Sequence, residues 1–307
     1  MMSARYSIII PHYNIPDLLR RSLTSIPYRE DVQIIVIDDC SSEQVLAELR
    51  KFENDVPYVQ FVYSEENKGG GYARNVGLQH AVGKYLLFLD ADDFFHDNIN
   101  AFLDDYKDED CDIVFFNADS VDSSSGKPMN RADLLRSFVS DYVEGKDKKA
   151  MQLRFLFNGP WCKMVRRGMM EQYHIKFDEV FAIDDVTFSY LVGYYANSVK
   201  VDERVVYCVT YRSNSVTYVE SFSRDIVQME VLARKNRFLK DHHISLFDED
   251  MLYPIRKKLS SRNWKQLYAL LNVARDYGFS SVSLIYRIAK KSIQYRTDKL
   301  LRRCINY

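Results

Sequence analysis

Short apolar runs alternate with helical patterns over the first 117 residues, and this alternation constrains the fold more than any other feature. Helical patterns occupy Pro16–Ile26, Ser41–Phe52 and Tyr72–Val82, and the second begins with the spacing of a capping box at Ser41 and Gln44. Strand–helix alternation predicts an α/β fold with a mainly parallel sheet, right-handed crossovers and helices on its faces. The strand-like runs are Tyr6–Ile10, Gln33–Ile37, Tyr58–Tyr63, Lys84–Leu89 and Asp112–Phe116.

The alternation decays after residue 117, where two helices are expected at Arg131–Tyr142 and Lys148–Phe157. Beyond residue 222 the sequence is rich in leucine, isoleucine, lysine and arginine, which is typical of packed helices. We therefore expect an α/β domain over residues 1–222 and a helical carboxy-terminal region over residues 223–307.

Composition excludes several classes of protein. With 42 basic and 43 acidic residues, the chain gives no electrostatic reason to expect a nucleic-acid partner. The five cysteines include no Cys-x-x-Cys pair, which argues against a zinc site or a disulfide framework and favours a reducing cytoplasm. Neither a signal-peptide apolar region nor an 18-residue apolar span occurs, so we expect a cytoplasmic chain that does not cross a membrane.

The fourth strand-like run ends in a cluster of carboxylates, Asp90, Asp92 and Asp93. In an open α/β sheet, ligands bind at the carboxyl ends of the strands, so the cluster is placed for function. Like charges this close need a compensating cation, and a divalent metal that carries a phosphorylated substrate would supply one. The alternative, an ordinary acidic loop after a strand, has about equal weight on this segment alone.

Three further segments follow other strand ends. The first, Pro11–Asn14, lacks the G-x-G-x-x-G turn of a dinucleotide-binding fold, which argues against NAD or FAD. The second, Asp38–Ser41, offers a carboxylate that could accept hydrogen bonds from a base or ribose, or that could simply cap a helix. The third, Asn67–Asn75, has three glycines that permit close backbone approach and an arginine, Arg74, that could pair with phosphate.

Together these segments resemble the glycosyltransferase family 2 nucleotide-sugar enzymes, which have a GT-A fold. The resemblance covers about Arg5 to Tyr218 and rests on motifs that occur in the family's order and spacing. The motifs are Ser7–Asn14, Val36–Ser41, Asn67–Gly77, Phe88–Asp93, Trp161-x-Lys163, Phe177-x-Glu179, Ile183–Phe188, Tyr211-Arg212 and Ser215–Thr217.

The resemblance implies a nucleotide-binding half over about residues 1–117 and an acceptor half over about 118–222. The implied donor-nucleotide residues are Pro11, Tyr13, Asn14, Asp39, Gly69, Arg74, Asp90, Ala91 and Asp92, with Asp39 on the uracil of a UDP-sugar. Asp92 and Asp93 would bind Mn²⁺ or Mg²⁺. Asp185 would be the general base, and Trp161 and Asp184 would lie near the acceptor. Where this chain has Asp184, the family more often has Glu.

Two positions keep alternative interpretations. His12 stands where the family usually has a small or apolar residue; it either contacts the nucleotide or, as we favour, packs in the interior. Trp161 either stacks on an acceptor sugar or lies buried under the active-site loop. The Gln-x-x-Arg-Trp motif and transmembrane helices of processive relatives are both missing, which predicts a single-addition enzyme.

The implied activity is inverting transfer of a hexose or N-acetylhexosamine from a UDP-sugar to a saccharide acceptor. The segment Leu284–Tyr307 has seven basic residues and one acid, in a pattern that predicts an amphipathic helix. Such a tail could lie on the inner face of the cytoplasmic membrane, near a lipid-linked acceptor. The alternatives are a solvated terminal helix packed on the domain and a helix that pairs two subunits. The alternatives for the whole chain are a sugar-1-phosphate nucleotidyltransferase and a non-catalytic sugar-nucleotide-binding module.

Overall fold

The computed structural model describes residues 4–145, 147–212 and 221–291, and the side chains of 147–150 are not described. The expected motif Ser215–Thr217 and the tail beyond residue 291 lie outside these residues. The chain forms two compact units, residues 1–218 and 219–307.

The first unit is built on one eight-stranded sheet with strand order β3-β2-β1-β4-β7-β6-β8-β5. The pairs among β1–β4 are parallel, whereas β7 is antiparallel to both β4 and β6. The sheet is therefore mixed, because β7 enters between two strands of the opposite direction. The strands are β1 (Tyr6–His12), β2 (Val32–Asp38), β3 (Val59–Tyr63), β4 (Tyr85–Phe88), β5 (Phe94–Phe95), β6 (Ile113–Asp122), β7 (Lys163–Arg166) and β8 (Val199–Tyr211).

Helices flank this sheet, and the expected α/β architecture is confirmed. The three helices predicted between the first four strands begin within two residues of their predicted starts. The helices of this unit are α1 (Pro16–Thr24), α2 (Glu43–Glu53), α3 (Gly70–His80), α4 (Ile99–Tyr106), α5 (Asp133–Val143), α6 (Asp147–Phe155), α7 (Arg167–Gln172) and α8 (Val186–Tyr195).

The parallel strands are buried on both faces, which is why their sequences are continuously apolar. Ile8, Ile9 and Ile10 of β1 are fully buried. The register pairs His12 of β1 with Asp38 of β2, so that the carboxyl ends of these strands lie side by side. This edge of the sheet therefore gathers the polar residues that follow each strand.

The capping box expected at the start of α2 does not form. Ser42, not Ser41, is the N-cap residue, and its side chain makes no capping hydrogen bond. The Ser41 hydroxyl instead donates to Asp38 Oδ1 at 2.6 Å. A buried carboxylate is a stronger hydrogen-bond partner for the Ser41 hydroxyl than the backbone amide of a capping box would be. The hydroxyl therefore bonds to Asp38, and the capping box predicted from the sequence is not formed.

The second unit is helical, as expected. It consists of α9 (Phe222–Asp241), α10 (Leu252–Ser260), α11 (Trp264–Asp276) and helical residues 281–291. Two buried ion pairs fix its interior: Lys235 lies 2.6 Å from Asp248, and Lys258 lies 2.6 Å from Asp225. Among the described residues, no helix has the length and apolar character needed to cross a membrane.

Candidate active site

The first part of the site is a buried hydrogen-bonded pair, His12 and Asp38. Both side chains are fully buried, and His12 Nδ1 lies 2.8 Å from Asp38 Oδ1. The Ile15 amide donates to His12 Nε2, so Nδ1 carries the proton of the neutral ring and donates to Asp38. Burial alone would raise the pKa of Asp38, but the bonds from His12 and Ser41 outweigh it and lower that pKa. This arrangement favours the packing interpretation of His12.

Asp39 is held by the glycine-rich loop. Its carboxylate accepts the backbone amide of Lys68 at 3.0 Å and that of Gly69 at 2.6 Å. Gly69 has φ +91°, a conformation that favours glycine, and it presents its amide to Asp39. Burial raises the pKa of Asp39 against these two bonds. Asp39 therefore orders the loop that leads into α3.

Tyr13 and Asn14 lie at the rim beside this loop. The side chain of Tyr13 is 47% exposed, so its ring is available to a planar ligand. The Asn14 amide donates to Ser41 Oγ at 2.8 Å, and its Oδ1 accepts the Ser42 amide at 2.9 Å. These bonds tie the end of β1 to the start of α2 and fix the position of Tyr13.

Arg74 joins two of the acidic segments. Its Nη2 donates to Asp90 Oδ1 and its Nη1 to Asp184 Oδ2, both at 2.6 Å. The guanidinium is buried, and no described residue accepts a hydrogen bond from its Nε. Burial opposes the charge, but the two carboxylates outweigh it and raise the pKa of Arg74. Arg74 is thus a permanent cation between the β4 end and the segment before α8.

Asp92 and Asp93 have different surroundings. Asp93 is buried, with Oδ2 accepting from the Tyr207 hydroxyl at 2.8 Å and Oδ1 from the Thr210 amide at 2.6 Å. Burial and the charges of Asp92 and Asp90 raise the pKa of Asp93 well above its usual range. Asp92 is more accessible, and its Oδ2 accepts from Arg212 Nε at 2.8 Å.

Asp184 and Asp185 lie immediately before α8, with Asp185 at its N-cap position. Burial is the main cause that raises the pKa of Asp185 to about 7, and the charge of Asp184 adds to it. Arg74 and Lys163 oppose this shift without cancelling it. A half-buried carboxylate with this pKa can exchange a proton near neutral pH.

Lys163 organises the loop that precedes β7, a role that the sequence did not reveal. It is 1% exposed, and its Nζ donates to the carbonyl of Phe157 at 3.0 Å, to the carbonyl of Gly159 and to Ser189 Oγ at 2.8 Å. A buried lysine is rare unless it is paired, so its motif position was the available signal. Lys163 therefore fixes the loop against α8.

Trp161 stacks on Tyr207, with ring centroids 5.6 Å apart and planes 17° from parallel. Its other contact is edge-on to Phe157 at 5.0 Å. These contacts favour the interpretation of Trp161 as an aromatic support beneath the loop. The Tyr207 hydroxyl donates a hydrogen bond to Asp93, so Trp161 supports the acidic segment indirectly, through Tyr207.

These surroundings connect residues that are far apart in sequence into one site. Arg74 links Asp90 to Asp184, and Asp185 follows directly. Sequence reasoning missed Tyr207, Thr210 and the pairing of Arg212 with Asp92, which no local pattern could indicate. The carboxylates and the strand ends define an α/β protein with an acidic edge at the carboxyl ends of its strands.

The sequence matches the profile described as "Glycosyl transferase family 2" over residues 7–174. This match covers more than half of the chain, and the protein belongs to that family. Together with the mixed sheet flanked by helices, the match confirms the GT-A fold and the resemblance noted in the sequence.

Individual proteins with similar sequences are also glycosyltransferases. The chain is 25% identical over 256 residues to the uncharacterized glycosyltransferase YibD of Escherichia coli, an alignment that covers 81% of this chain and 74% of YibD. It is 32% identical over 111 residues to the poly(ribitol-phosphate) beta-N-acetylglucosaminyltransferase TarS of Staphylococcus aureus. That second alignment covers 33% of this chain and only 19% of TarS.

Two solved structures share the fold. The structure of TarS residues 1–349 in complex with UDP-GlcNAc matches with a TM-score of 0.62 at 21% identity, over 89% of this chain and 81% of that one. The mannosyltransferase PcManGT of Pyrobaculum calidifontis, in complex with GDP-Man and Mn²⁺, matches with a TM-score of 0.55 at 17% identity. This second match covers 97% of this chain and 83% of that one.

Proposed function

We propose that the protein is an inverting glycosyltransferase that moves a hexose or N-acetylhexosamine from a UDP-sugar to a saccharide acceptor. The observation that carries this proposal is Asp185, a half-buried carboxylate with a pKa of about 7. A general base works best when its pKa lies near the working pH. Family membership favours this function over a sugar-1-phosphate nucleotidyltransferase or a non-catalytic module.

The donor nucleotide would occupy the carboxyl edge of β1, β2 and β4. Pro11, Tyr13 and Asn14 would border the nucleoside, and Asp39 would accept a hydrogen bond from uracil. For that contact, Asp39 would share its oxygens with the Lys68 and Gly69 amides, since each carboxylate oxygen has two lone pairs. Gly69 would allow close approach of the backbone. Asp90, Ala91 and Asp92 would border the ribose and diphosphate.

A divalent cation, Mn²⁺ or Mg²⁺, fits the donor set because both ions prefer oxygen ligands. Asp92 would hold it through Oδ1, since its Oδ2 pairs with Arg212. Asp93 would have to use a second lone pair of an oxygen that already accepts a hydrogen bond. When bound, the cation would offset the negative charge that develops on the departing diphosphate.

The chain's own residues would perform the proton transfer. Asp185 would accept the proton of the acceptor hydroxyl as its oxygen forms a bond to the anomeric carbon. The bond from that carbon to the diphosphate oxygen breaks on the opposite face, and UDP leaves with the electron pair. The sugar passes through an oxocarbenium-like transition state, as in hydrolysis of glycosidic bonds. Arg74 would oppose the burial that raises the pKa of Asp184 beside the base, and would lie near the phosphates.

The acceptor would approach from the side of Asp184 and the loop that carries Trp161. A saccharide linked to a lipid, in the synthesis of a surface polysaccharide or lipooligosaccharide, suits a cytoplasmic enzyme at the inner face of the membrane. Membrane contact through the basic tail, or pairing of two subunits through it, belongs to this proposal. A UDP-N-acetylhexosamine donor is consistent with the UDP-GlcNAc bound to TarS.

The direct test is release of UDP from a panel of UDP-glucose, UDP-galactose, UDP-N-acetylglucosamine and UDP-N-acetylgalactosamine with Mn²⁺. We expect one donor to be turned over well above the others and turnover to stop in EDTA. Pyrophosphate release from UTP and a sugar 1-phosphate, without UDP release from any donor, would instead support the nucleotidyltransferase. Donor binding without turnover in the presence of glycan acceptors would support the non-catalytic module.

A further inference from the structure

An aromatic and basic turn joins α10 to α11 in the second unit. Residues 260–265 are six consecutive exposed residues, and they include Arg262, Trp264 and Lys265. The side chain of Trp264 is 63% exposed. A tryptophan at such exposure leaves much of its apolar surface in water, at a cost in free energy. The ring is therefore available to a partner.

The same surface continues along α11. Tyr268 lies one turn after Trp264 on the same face of the helix, and it is also 63% exposed. An adjoining face, which carries Leu267, Leu270 and Leu271, is buried. The leucines therefore pack in the interior of this unit, whereas the two aromatic rings remain largely exposed to solvent.

The sequence around these rings is basic. From residue 252 to residue 275 the sequence has six basic residues and no acidic one. Lys258 is neutralised internally by Asp225, whereas no carboxylate of a described residue pairs with Arg262 or Lys265. The two exposed rings therefore lie in a basic stretch of sequence, which favours an anionic partner.

We propose that the α10–α11 turn, with Trp264 and Tyr268, is a docking surface for an anionic lipid bilayer. Tryptophan and tyrosine concentrate at the boundary between headgroups and acyl chains, and arginine and lysine beside them pair with lipid phosphates. The two rings and Arg262 would suit a bilayer or a protein, and the surplus of basic residues favours the bilayer, because lysine is depleted at the centres of protein interfaces. This surface is separate from the tail beyond residue 284, and it does not depend on the proposed catalytic activity.

Fluorescence of the full-length protein tests this surface directly, because Trp161 and Trp264 are its two tryptophans. In a Trp161→Phe variant, the emission reports on Trp264 alone. Phosphatidylglycerol vesicles should shift that emission to shorter wavelength and allow quenching by brominated acyl chains, whereas phosphatidylcholine vesicles should do neither. Should Trp161→Phe misfold, quenching in the unaltered protein compared with Trp264→Phe gives the same answer.

Cosedimentation with phosphatidylglycerol vesicles compares the binding of matched variants. Trp264→Ser with Tyr268→Ser, and separately Arg262→Gln with Lys265→Gln, should each weaken binding at least about tenfold. Tyr28→Ser with Tyr58→Ser, which removes two exposed rings from the first unit, and Lys51→Gln with Lys127→Gln should leave it unchanged. If the protein bound vesicles while the Trp264 emission stayed unchanged, another part of the chain would be the membrane-binding surface, and the proposal would be overturned. Absence of binding, or self-association mediated by Trp264, would also overturn it.

Discussion

Arg74 Nη1 lies 2.6 Å from Asp184 Oδ2, so the fixed cation of the site is hydrogen-bonded to the neighbour of the proposed base rather than to the base itself. Asp185 therefore keeps a pKa of about 7 despite the arginine nearby. A cation in direct contact with Asp185 would hold it ionised and make it a weak base. The division of roles between the two adjacent aspartates leads to the first two predictions.

The rate of transfer should depend on the ionisation of Asp185. Because only the carboxylate can accept a proton, kcat should rise with pH through about 7 and level off above it. The effect on stability has the opposite sign: a pKa raised above its unfolded value of about 3.9 favours the folded state at low pH. That contribution is lost as the pH rises through about 7. A pH profile of kcat that stays flat between about 5.5 and 8 would contradict the assignment.

Arg74→Gln should move the acid limb of this profile to higher pH. The guanidinium lowers the pKa of Asp185, so its removal leaves burial and the charge of Asp184 less opposed. Arg50→Gln, an exposed arginine of α2, serves as the matched control and should leave the limb in place. An unshifted limb in a folded Arg74→Gln enzyme would mean that Arg74 does not act on the base electrostatically.

Lys163→Met should destabilise the first unit by about 2–4 kcal/mol, because it leaves buried acceptors without a donor. The acceptors are the carbonyls of Phe157 and Gly159 and the Ser189 hydroxyl. Lys51→Met, on the exposed face of α2, should change stability by less than about 0.5 kcal/mol. Urea unfolding measures both, and equal midpoints for the two variants would refute the role given to Lys163.

Arg212→Gln should strengthen Mn²⁺ binding in the absence of donor, by about fivefold, because Arg212 competes for the carboxylate of Asp92. Asp92→Asn should weaken it strongly. Arg20→Gln, which breaks the remote pair with Glu48, should have no effect. Isothermal titration with MnCl₂ distinguishes these outcomes; weaker binding in Arg212→Gln would show that the arginine supports the metal site instead.

The parts of the site that sequence could predict are those set by strand periodicity. Asp39 and Asp90 follow apolar runs, and the parallel register brings strand ends to one edge. The positions of these carboxylates follow from local pattern alone. Their place at this edge of the sheet was therefore predictable before any contact was known.

The parts that sequence could not predict depend on contacts between distant residues. Asp92 and Arg212 are 120 residues apart, and Asp93 and Tyr207 are 114 apart. A lysine is normally expected at the surface, and the burial of Lys163 depends partly on Ser189, which is 26 residues away on α8. Ser41 has the spacing of a capping residue, but its hydroxyl donates to Asp38 instead. The register of β1 and β2 places His12 beside the same carboxylate.

The most direct test of the central claim is the Asp185→Asn variant, measured with the donor sugar that the native enzyme turns over. Asparagine keeps the size of the side chain but cannot accept the proton, so UDP release should fall by about 10²- to 10⁴-fold. The dissociation constant for the donor should stay within about twofold of the native value, because the base touches the acceptor rather than the nucleotide. Undiminished UDP release by Asp185→Asn would contradict the assignment of the base and the mechanism built on it.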